Sequence, residues 1–406
     1  MKRILYISYD GMTDQLGQSQ VIPYLRELSK AGYSFHLLSA EKKERLEKTG
    51  DQIKKLLEEA SIDWTTMLFK RNPPVLSKLM DQRKLNKMAA DICRKEKIDL
   101  VHCRSYVPAA AGLKISKKFR IPFLFDMRGF WVDERVDSGL WNLKNPLFKL
   151  LYKTYKRKEQ NYFDQSAHII SLTQKGKEEL VRNYKVPAEK VTVIPCCADM
   201  EHFDFHSISA DVQRETKKNL GIPEGKKILS YLGSLGGWYM TDAMLDFFAV
   251  MHRQDNQTVF LFITHDNKED IIAKSVAKDI PADAIVIQPA GRNDVPLYLS
   301  LSNWNIFFIK DAYSKKASSP TKQGEVMAMG IPVICNDIGD TGTIINDSGA
   351  GLLVKSFDTD EYETISRRVL QMPETDKENI RLSACKYYDL MEGAERYKNV
   401  YGKLLN

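Results

Sequence analysis

Short apolar segments alternate with longer segments of helical periodicity along the whole chain. An apolar run at 3–9 is followed by a glycine-containing loop at 10–20, a helix-period segment at 21–32 and a second apolar run at 34–40. Further apolar runs follow at 99–103, 122–127, 168–173 and 190–195. Continuous apolar strands that alternate with helices predict a parallel sheet covered by helices on both faces.

The same pattern starts again in the second half of the chain. Residues 205–225 are polar and helix-like, and residues 227–253 then repeat the order of strand, glycine loop and helix. Five more apolar runs follow, at 258–265, 284–290, 305–310, 331–337 and 351–356. We therefore predict an α/β protein of two doubly wound domains, 1–205 and 206–385, followed by an amphipathic helix at 386–406. The carboxyl ends of both sheets are expected to face a shared cleft, where such folds bind ligands.

Composition narrows the function classes only a little. The 406 residues are 43% hydrophobic and 28% charged, as in a folded soluble protein, and the net charge of +7 is mildly basic. This charge permits an anionic substrate, a membrane surface or a nucleic acid. The six cysteines form no CxxC pair and predict neither a disulfide framework nor a zinc site, which suits a reducing cytoplasm. The first residues do not resemble a signal peptide, and no apolar run is long enough to span a bilayer.

The segment 318–334, SSPTKQGEVMAMGIPVI, places small hydroxyl residues and one cation at a predicted helix start. The free amides of a first helical turn attract an anion, and Ser318, Ser319 and Thr321 add hydroxyl donors while Lys322 adds a charge. Glu325 could accept hydrogen bonds from a ribose diol; alternatively, it closes a capping box with a Ser or Thr N-cap. Further lysines stand on the approach to this segment: Lys310, Lys315 and Lys316.

In each predicted domain, one glycine-containing loop follows the first strand. Gly233, Gly236 and Gly237 allow close approach of a phosphate to the backbone, or else form a tight turn; their spacing is not the GxGxxG of dinucleotide sites. In the first domain, Gly17 and Gln18 stand at the start of a helix and either face a ligand or belong to an ordinary strand-to-helix turn.

Charged residues also crowd two strand ends in the first domain. Asp126 and Arg128 stand at the end of the strand at 122–127, and His102 and Arg104 stand at the end of the strand at 99–103. Strand ends in doubly wound folds carry reactive groups, and a cation there suits an anionic substrate. A surface ion-pair network is the alternative for the first group, which also includes Asp133, Glu134 and Arg135, and a structural role is the alternative for the histidine.

Two other segments have ordinary explanations beside a functional one. Asp358, Thr359 and Asp360 spell the metal-binding DxD of many nucleotide-sugar enzymes, but their place before a helix favours a helix cap. Residues 144–160 mix Leu, Phe and Tyr with many cations, which fits either docking on an anionic membrane or a solvated helix with one buried stripe.

Four stretches together resemble the retaining glycosyltransferases of family 4: SYDGMTDQLGQSQVIPYL, SLTQKGKEELVRNY with VIPCCAD, YLGSLGGWY and SSPTKQGEVMAMGIPVI. The resemblance covers essentially the whole chain. It implies the GT-B fold, with two facing Rossmann-like domains, a cleft between them and a C-terminal helix that crosses back to the first. It also implies sugar transfer from a nucleoside diphosphate donor, held in the second domain, to an acceptor on the first, often a glycan on a membrane lipid.

The resemblance assigns provisional roles to single residues. Glu325 matches the second glutamate of an E-x7-E motif and would contact the donor ribose, while Thr321 and Lys322 would contact the diphosphate. Ala317 stands where the first glutamate is usual, and Ser234 and Tyr239 stand in the region that usually supplies an arginine and a lysine. The charge on the diphosphate would then come from lysines elsewhere. The expected donor site includes Gly233, Ser234, Gly236, Gly237, Lys310, Lys316, Ser319, Pro320, Thr321, Lys322 and Glu325.

In this family the leaving phosphate is thought to help deprotonate the acceptor on one face of the sugar, so neither a metal nor a protein nucleophile is expected. The catalytic candidates are Asp126, Arg128 and Lys322, and the acceptor side comprises Gly17, Gln18, Arg104, Asp126 and Arg128. We expect a hexosyltransferase that uses a UDP-sugar in surface polysaccharide biosynthesis, is cytoplasmic and binds peripherally to the membrane.

Two alternatives remain: a GT-B-shaped nucleotide-sugar epimerase, and a non-catalytic GT-B scaffold subunit, which Ala317 would favour. Nucleic acid is not an expected partner, because the cations are dispersed and lack interleaved aromatic residues.

Overall fold

The computed structural model describes residues 1–69, 74–373 and 376–405. The chain forms two compact units, each an α/β structure. The first unit comprises Met1–Cys196, a short excursion at Tyr313–Ser318 and the chain from Leu390 onward; the second comprises Cys197–Ala312 and Ser319–Asp389. The sequence placed the division near 205, and nothing in its pattern indicated the excursion.

In the part of the first unit that the structure describes, the seven strands are β1 (Lys2–Ser8), β2 (Tyr33–Glu41), β3 (Ile62–Leu68), β4 (Leu100–Arg104), β5 (Phe123–Asp126), β6 (His168–Ser171) and β7 (Val191–Val193). Its helices are α1 (Gln15–Gln20), α2 (Ile22–Lys30), α3 (Lys43–Glu59), α4 (Pro74–Lys95), α5 (Tyr106–Phe119), α6 (Trp131–Asp137), α7 (Pro146–Gln165), α8 (Gln174–Tyr184) and, at the end of the chain, α17 (Leu390–Leu405). Short 3-10 turns lie at Ala188–Lys190 and Tyr313–Ala317.

The described residues of the second unit form six strands: β8 (Lys227–Leu232), β9 (Thr258–Ile263), β10 (Ile285–Gln288), β11 (Trp304–Phe307), β12 (Val333–Cys335) and β13 (Gly351–Leu353). Its helices are α9 (Ala210–Asn219), α10 (Thr241–Gln254), α11 (Lys268–Val276), α12 (Val295–Leu299), α13 (Thr321–Ala328), α14 (Thr341–Ser348), α15 (Thr359–Gln371) and α16 (Lys377–Tyr388). Two 3-10 turns lie at Phe205–Ser207 and Ala282–Ala284.

Both sheets are parallel, which confirms the prediction from the apolar runs. The strand order is β3-β2-β1-β4-β5-β6-β7 in the first unit and β10-β9-β8-β11-β12-β13 in the second. In each sheet the order reverses beside the first strand, between β1 and β4 and between β8 and β11. Ligands of doubly wound folds bind outside the carboxyl ends of the strands at such a reversal, so the topology selects one edge of each sheet.

Burial explains why most strands were recognisable and β3 was not. Strands such as β5 and β9 are buried along their whole length, so every residue is under pressure to be apolar. Strand β3 lies at the edge of its sheet and buries only Ile62 and Met67. The remaining residues of this strand contact water and include aspartate and threonine, so the segment carries no continuous apolar run.

The first glycine loop packs closely against helix α1. Gly17 lies inside helix α1, and a Cβ at this position would stand 2.3 Å from the carbonyl oxygen of Gly11. The amide of the Gln18 side chain donates to the carbonyl of Thr13 at 3.4 Å. This packing favours the interpretation as an ordinary strand-to-helix turn, and a ligand-facing role of Gly17 and Gln18 stays a prediction.

Candidate functional site

Helix α13 in the second unit carries the residues of the S-P-T-K-x-x-E segment. It begins at Thr321, directly after Pro320, and no side chain forms a hydrogen-bonded cap at its start. The Glu325 carboxylate instead accepts from Arg292, so the capping-box interpretation is wrong. Because proline provides no side-chain donor or acceptor, no N-cap side chain competes with an anion for the amides of Thr321 and Lys322. The amide of Gln323 donates to the carbonyl of Pro320 at 3.1 Å.

The ammonium of Lys322 occupies an unusual environment at this helix start. The residue is 7% exposed, and Nζ has no hydrogen-bond partner among the residues the structure describes. The ammonium lies 4.0 Å from the ring centre of Tyr231 and 3.6 Å from that of Tyr239. Burial lowers the pKa of Lys322 well below its ordinary value, although Glu325 and Asp266 act in the opposite direction. A buried cation without a hydrogen-bonding oxygen is a costly arrangement that a bound anion would relieve.

The loop after β8 is shaped to admit this ammonium. A Cβ at Gly233 would lie 3.3 Å from Nζ of Lys322, so a larger residue would crowd the cation. Gly233, Gly236 and Gly237 all have positive φ angles, of 107°, 71° and 61°. The Tyr231 hydroxyl donates to the carbonyl of Ser234 at 2.6 Å and fixes the middle of the loop.

Asp266, directly after β9, holds the same loop from the other side. Its carboxylate accepts from the amide of Leu235 at 2.5 Å and from the hydroxyl of Thr264 at 2.8 Å. Both contacts engage Oδ2, which leaves the loop anchored while the carboxylate contributes negative charge near Lys322.

Glu325 lies one turn after Lys322 and is 9% exposed. Burial raises the pKa of Glu325 above its ordinary value, while the Arg292 guanidinium, 3.4 Å away, and Lys322 counteract part of this rise. Arg292 stacks over the ring of Phe203 and is only partly exposed. The pair places a carboxylate with free acceptor capacity beside the helix start, as ribose hydroxyls would require.

The remaining donor-site candidates are divided between the two units. Lys310 is exposed in the second unit, and Ser319 and Pro320 lead into α13 there. Lys316 belongs to the first unit, where its ammonium lies 3.0 Å from a carboxylate oxygen of Glu179. Lys315 pairs in the same unit with Glu134 at 3.2 Å. These two lysines are therefore neutralised within the first unit, unlike Lys322.

Ala317, at the position of the usual first glutamate, is fully buried in the first unit. Its Cβ lies so close to Gly176 that a Cβ on that glycine would stand 2.9 Å away, and Thr173 donates to the neighbouring carbonyl of Lys316 at 2.6 Å. A glutamate would not fit at this position without displacing α8. Alanine in place of the usual glutamate at position 317 is therefore explained by the close packing of this residue against α8.

In the first unit, the reversal between β1 and β4 brings together a cluster of buried charges around Asp126. This carboxylate is fully buried and has guanidinium nitrogens of Arg128 and Arg104 at 3.7 and 3.9 Å. Arg104 also donates to Asp10 at 3.2 Å. Burial alone would raise the pKa of Asp126, but Arg128, His102 and Arg104 lower it to about 2. The predicted strand-end group is therefore a buried cluster and not a surface ion-pair network.

Helix α17 completes this cluster with two tyrosines. The Tyr397 hydroxyl donates to Asp126 at 3.1 Å, and the Tyr401 hydroxyl lies 2.7 Å from Nδ1 of His102. Burial lowers the pKa of His102, although Asp126 raises it. The histidine is thus a neutral, buried partner of the C-terminal helix.

The backbone at this edge is strained at two non-glycine residues. Ser105 has φ 69° and ψ −176°, a region that is populated almost only by glycine, and its amide donates to the carbonyl of Asp126 at 2.7 Å. Arg128 has φ 60°. Such strain persists where the surrounding structure fixes the backbone, and it clusters at functional sites.

Two further sequence predictions fall on helices. Asp358 is the N-cap of α15 and accepts from the amide of Glu361 at 2.9 Å, as the cap interpretation requires. Helix α7 buries one stripe and exposes Leu147 and Leu150. Within the described ranges, no helix combines the length and apolarity needed to cross a bilayer.

Sequence reasoning missed several residues of both sites. Asp266 and Arg292 directly follow strand-like runs, so the rule that strand ends carry functional groups could have found them. Tyr231 is one of several apolar residues in β8, and no pattern distinguishes it. The tyrosines of α17 lie nearly 300 residues from His102, and only the tertiary structure joins them.

Comparisons with known proteins agree with this geometry. The sequence profile described as Glycosyltransferase Family 4 matches residues 19–202, and that of Glycosyl transferases group 1 matches residues 212–383. A D-inositol 3-phosphate glycosyltransferase of Arthrobacter sp. is 23% identical over 68% of the chain, and the match spans 63% of that relative's length. The UDP-Gal:alpha-D-GlcNAc-diphosphoundecaprenol alpha-1,3-galactosyltransferase of Escherichia coli is 20% identical over 76% of each chain.

Among solved structures, Anabaena Alr3699/HepE in complex with UDP and glucose superposes with a TM-score of 0.71 over all of both chains, at 14% identity. At this identity the likeness shows the fold alone. The first family profile covers most of the first α/β unit, and the second profile covers most of the second unit. The chain therefore belongs to the family 4 glycosyltransferases and has the GT-B fold.

Proposed function

We propose that the protein is a retaining glycosyltransferase that moves a hexose from a UDP-sugar to a lipid-linked glycan during surface polysaccharide biosynthesis. Family membership supports sugar transfer, and the HepE complex with UDP supports the donor base. The E. coli relative, whose name specifies a diphosphoundecaprenol acceptor, supports a lipid-linked acceptor.

The observation that carries this proposal is the buried ammonium of Lys322. It lies at the start of α13, beside a glycine loop and at the strand-order reversal of the second sheet, without a hydrogen-bonding partner among the described residues. A nucleoside diphosphate satisfies all of these features. Its phosphates would receive the helix amides and the ammonium, and its ribose hydroxyls would donate to Glu325.

In the proposed reaction the bond between the anomeric carbon and the diphosphate oxygen breaks, and the acceptor hydroxyl oxygen bonds to the same carbon. The hydroxyl proton passes to the departing diphosphate, so no protein base is needed. Lys322 would stabilise the charge that develops on the leaving group, where a fixed cation in a dry site acts strongly. The fully buried Asp126 has no surface to offer a substrate, so we assign it a positioning role toward Arg104 and Arg128.

A peripheral membrane location would bring the enzyme to such an acceptor. The stretch 138–158 contains six lysines and arginines and no aspartate or glutamate. Leu140, Leu147 and Leu150 are each more than half exposed within it. Exposed leucines flanked by cations favour the surface of an anionic bilayer.

The first test is calorimetric titration with UDP, GDP and ADP, on wild type, Lys322→Ala and Glu325→Ala. We expect UDP to bind in the micromolar range and either substitution to weaken binding about tenfold or more, which is about 1.4 kcal/mol. If GDP or ADP binds and UDP does not, the proposed uracil base of the donor is wrong. No binding of any nucleotide would favour a scaffold subunit, and tight binding that neither substitution weakens would contradict the assigned diphosphate site.

The second test separates transfer from epimerisation and defines the stereochemistry. UDP-hexoses are incubated with and without undecaprenyl-diphosphate sugars, and the products are analysed by NMR. We expect acceptor-dependent product in which the anomeric configuration of the donor is kept. Turnover of donor alone into an epimer would contradict the proposal, and an inverted product would contradict its retaining mechanism.

Membrane docking is tested by flotation with phosphatidylglycerol vesicles and with neutral phosphatidylcholine vesicles. Replacement of both Leu147 and Leu150 by serine is expected to reduce flotation with the anionic vesicles without changing UDP affinity. Equal flotation of the variant and wild type would contradict the role of α7.

A further inference from the structure

An open pocket of about 380 Å³ lies within the first unit, between helices α6, α7 and α8 and the turn at Tyr313–Ala317. Pockets of a few hundred to a thousand Å³ are typical of small-molecule sites. The side chains that define its chemistry are Asp133, Asp137, Tyr152, Lys156, Tyr184 and Tyr313. None of these residues has been given a role in the nucleotide site.

The pocket wall is a continuous ladder of hydrogen-bonding groups. Asp133 accepts from the Tyr152 hydroxyl and from the Lys156 ammonium, both at 2.8 Å. Lys156 also donates to the Tyr184 hydroxyl at 2.5 Å, which lies 3.5 Å from that of Tyr313. The pKa of Tyr152 is raised to about 12 by burial and by Asp133, so its hydroxyl stays protonated at neutral pH.

The aromatic rings of the pocket are held rigidly. Phe130 stacks between Tyr184 and Tyr313, with ring-plane angles of 13° and 28°. Tyr313 is fixed further because its hydroxyl donates to Glu179 at 2.9 Å. Rings with fixed faces offer surfaces to the weakly positive C–H groups of a ligand without an entropic cost of ordering.

Charge limits the class of ligand. The lining contains two carboxylates, Asp133 and Asp137, and one ammonium, Lys156, which is already engaged by Asp133 and Glu159. A phosphate or uronate would face uncompensated negative charge, and no cluster in the described part of the chain offers the ligand set of a metal ion. Carboxylate and hydroxyl acceptors beside fixed rings suit a neutral ligand that carries many hydroxyl donors.

We propose that this pocket binds a neutral pyranose, as a subsite for a sugar of the acceptor glycan. The acceptor role rests on the proposed glycosyltransferase function, whereas the binding of a pyranose does not. The pocket shares helix α7 with the exposed leucines, since Tyr152 and Lys156 line it while Leu147 and Leu150 contact solvent. A glycan attached to a membrane lipid would present its sugars beside this helix.

The test uses saturation-transfer NMR on the whole 406-residue chain, with and without UDP. The probes are the methyl pyranosides of glucose, galactose and N-acetylglucosamine, with methyl glucuronide as the anionic counterpart. Val136→Trp fills the pocket, since Val136 is one of its lining residues. Tyr152→Phe removes one hydroxyl, and Tyr155→Phe is the matched control, because Tyr155 lies on the same helix and does not line the pocket.

We expect at least one neutral pyranoside to bind and the glucuronide not to bind. Val136→Trp should abolish the signal, and Tyr152→Phe should weaken binding at least threefold, with Tyr155→Phe equal to wild type. Absence of pyranoside binding at 20 mM, roughly the weakest useful affinity, would overturn the proposal, as would binding that both pocket variants retain. UDP calorimetry on the same samples distinguishes the proposals: pyranoside binding without UDP binding would contradict the transferase and leave the pocket standing.

Discussion

The two α/β units bury charge at equivalent places and compensate it differently. At the β1/β4 reversal, Asp126 lies between the guanidinium groups of Arg104 and Arg128, so each charge has an opposite charge nearby. At the β8/β11 reversal, the ammonium of Lys322 faces two aromatic rings and has no hydrogen-bonding partner in the described structure. In the first arrangement the carboxylate is balanced by two guanidinium groups, although Oδ1 of Asp126 makes no hydrogen bond among the described residues. In the second, the proposed anion would supply the hydrogen-bonding partner that the ammonium lacks.

This difference suggests how to distinguish a buried charge that stabilises the fold from one that binds a ligand. Removing one member of a compensated cluster leaves uncompensated buried charge and costs stability. Removing an uncompensated charge relieves desolvation and costs binding instead. The two sites should therefore respond in opposite ways to the same kind of substitution.

The largest effect is expected for Asp126→Ala. Two buried guanidinium groups would lose their carboxylate, and the free energy of unfolding should fall by about 3–5 kcal/mol. Urea denaturation followed by circular dichroism measures this change. Asp10→Asn is the control, because that side chain is 45% exposed and should change the free energy by less than about 1 kcal/mol. Equal effects of the two substitutions would contradict the compensated cluster.

The stabilisation by the Asp126 carboxylate should also depend on pH in the acid range. Because the pKa of Asp126 is lowered to about 2 in the folded chain, its stabilisation is complete above the unfolded value near 4 and is lost as the pH falls from about 4 to about 2. The loss amounts to about 2 kcal/mol. Denaturation curves of wild type and Asp126→Asn across this range should converge as the pH falls. Parallel curves would show that Asp126 does not titrate in this way.

Lys322→Met should produce the opposite pattern. The substitution keeps the length and removes the buried charge, so the free energy of unfolding should stay the same or rise, while UDP binding weakens about tenfold, or about 1.4 kcal/mol. Burial lowers the pKa of Lys322, so its ammonium loses its proton below the ordinary lysine range as the pH is raised. The UDP affinity of wild type should therefore fall as the pH rises through this lowered pKa. The free energy of unfolding should rise over the same range, because the unfolded chain then binds more protons than the folded chain. A strong loss of stability in the variant would mean that Lys322 holds the fold.

The smallest effect is expected for Glu325→Gln. The neutral amide keeps one acceptor for the ribose but loses charge, so UDP affinity should fall by about 1 kcal/mol. The matched ligand is 2′-deoxy-UDP, for which wild type and variant should differ less. Calorimetry with both nucleotides measures the coupling energy between the Glu325 carboxylate and the ribose 2′-hydroxyl. If Glu325→Gln weakens the binding of UDP and of 2′-deoxy-UDP equally, Glu325 does not contact the 2′-hydroxyl.

The candidate donor site was predictable from local order. Proline, lysine and glutamate lie within six residues of one another after a recognisable strand, so a single helix start brings them together. The rings under Lys322 were not predictable as such, because Tyr231 and Tyr239 look like ordinary strand and loop residues until β8 and α13 are placed side by side. The position of Lys316 was misjudged for a similar reason, since the excursion at 313–318 joins the first unit.

The sequence by itself determined the two parallel sheets, the helix that carries Lys322 and Glu325, and the family. Periodicity and motif spacing are local properties, and short-range sterics and burial impose them directly on neighbouring residues. The tertiary structure alone decided that Asp126 lies between two guanidinium groups while the Lys322 ammonium has no hydrogen-bonding partner among the described residues. It also decided that Ala317 packs closely against α8 and that three tyrosines line one pocket. Each of these depends on residues far apart in the chain, and which of them meet is decided only when the sheets and helices pack.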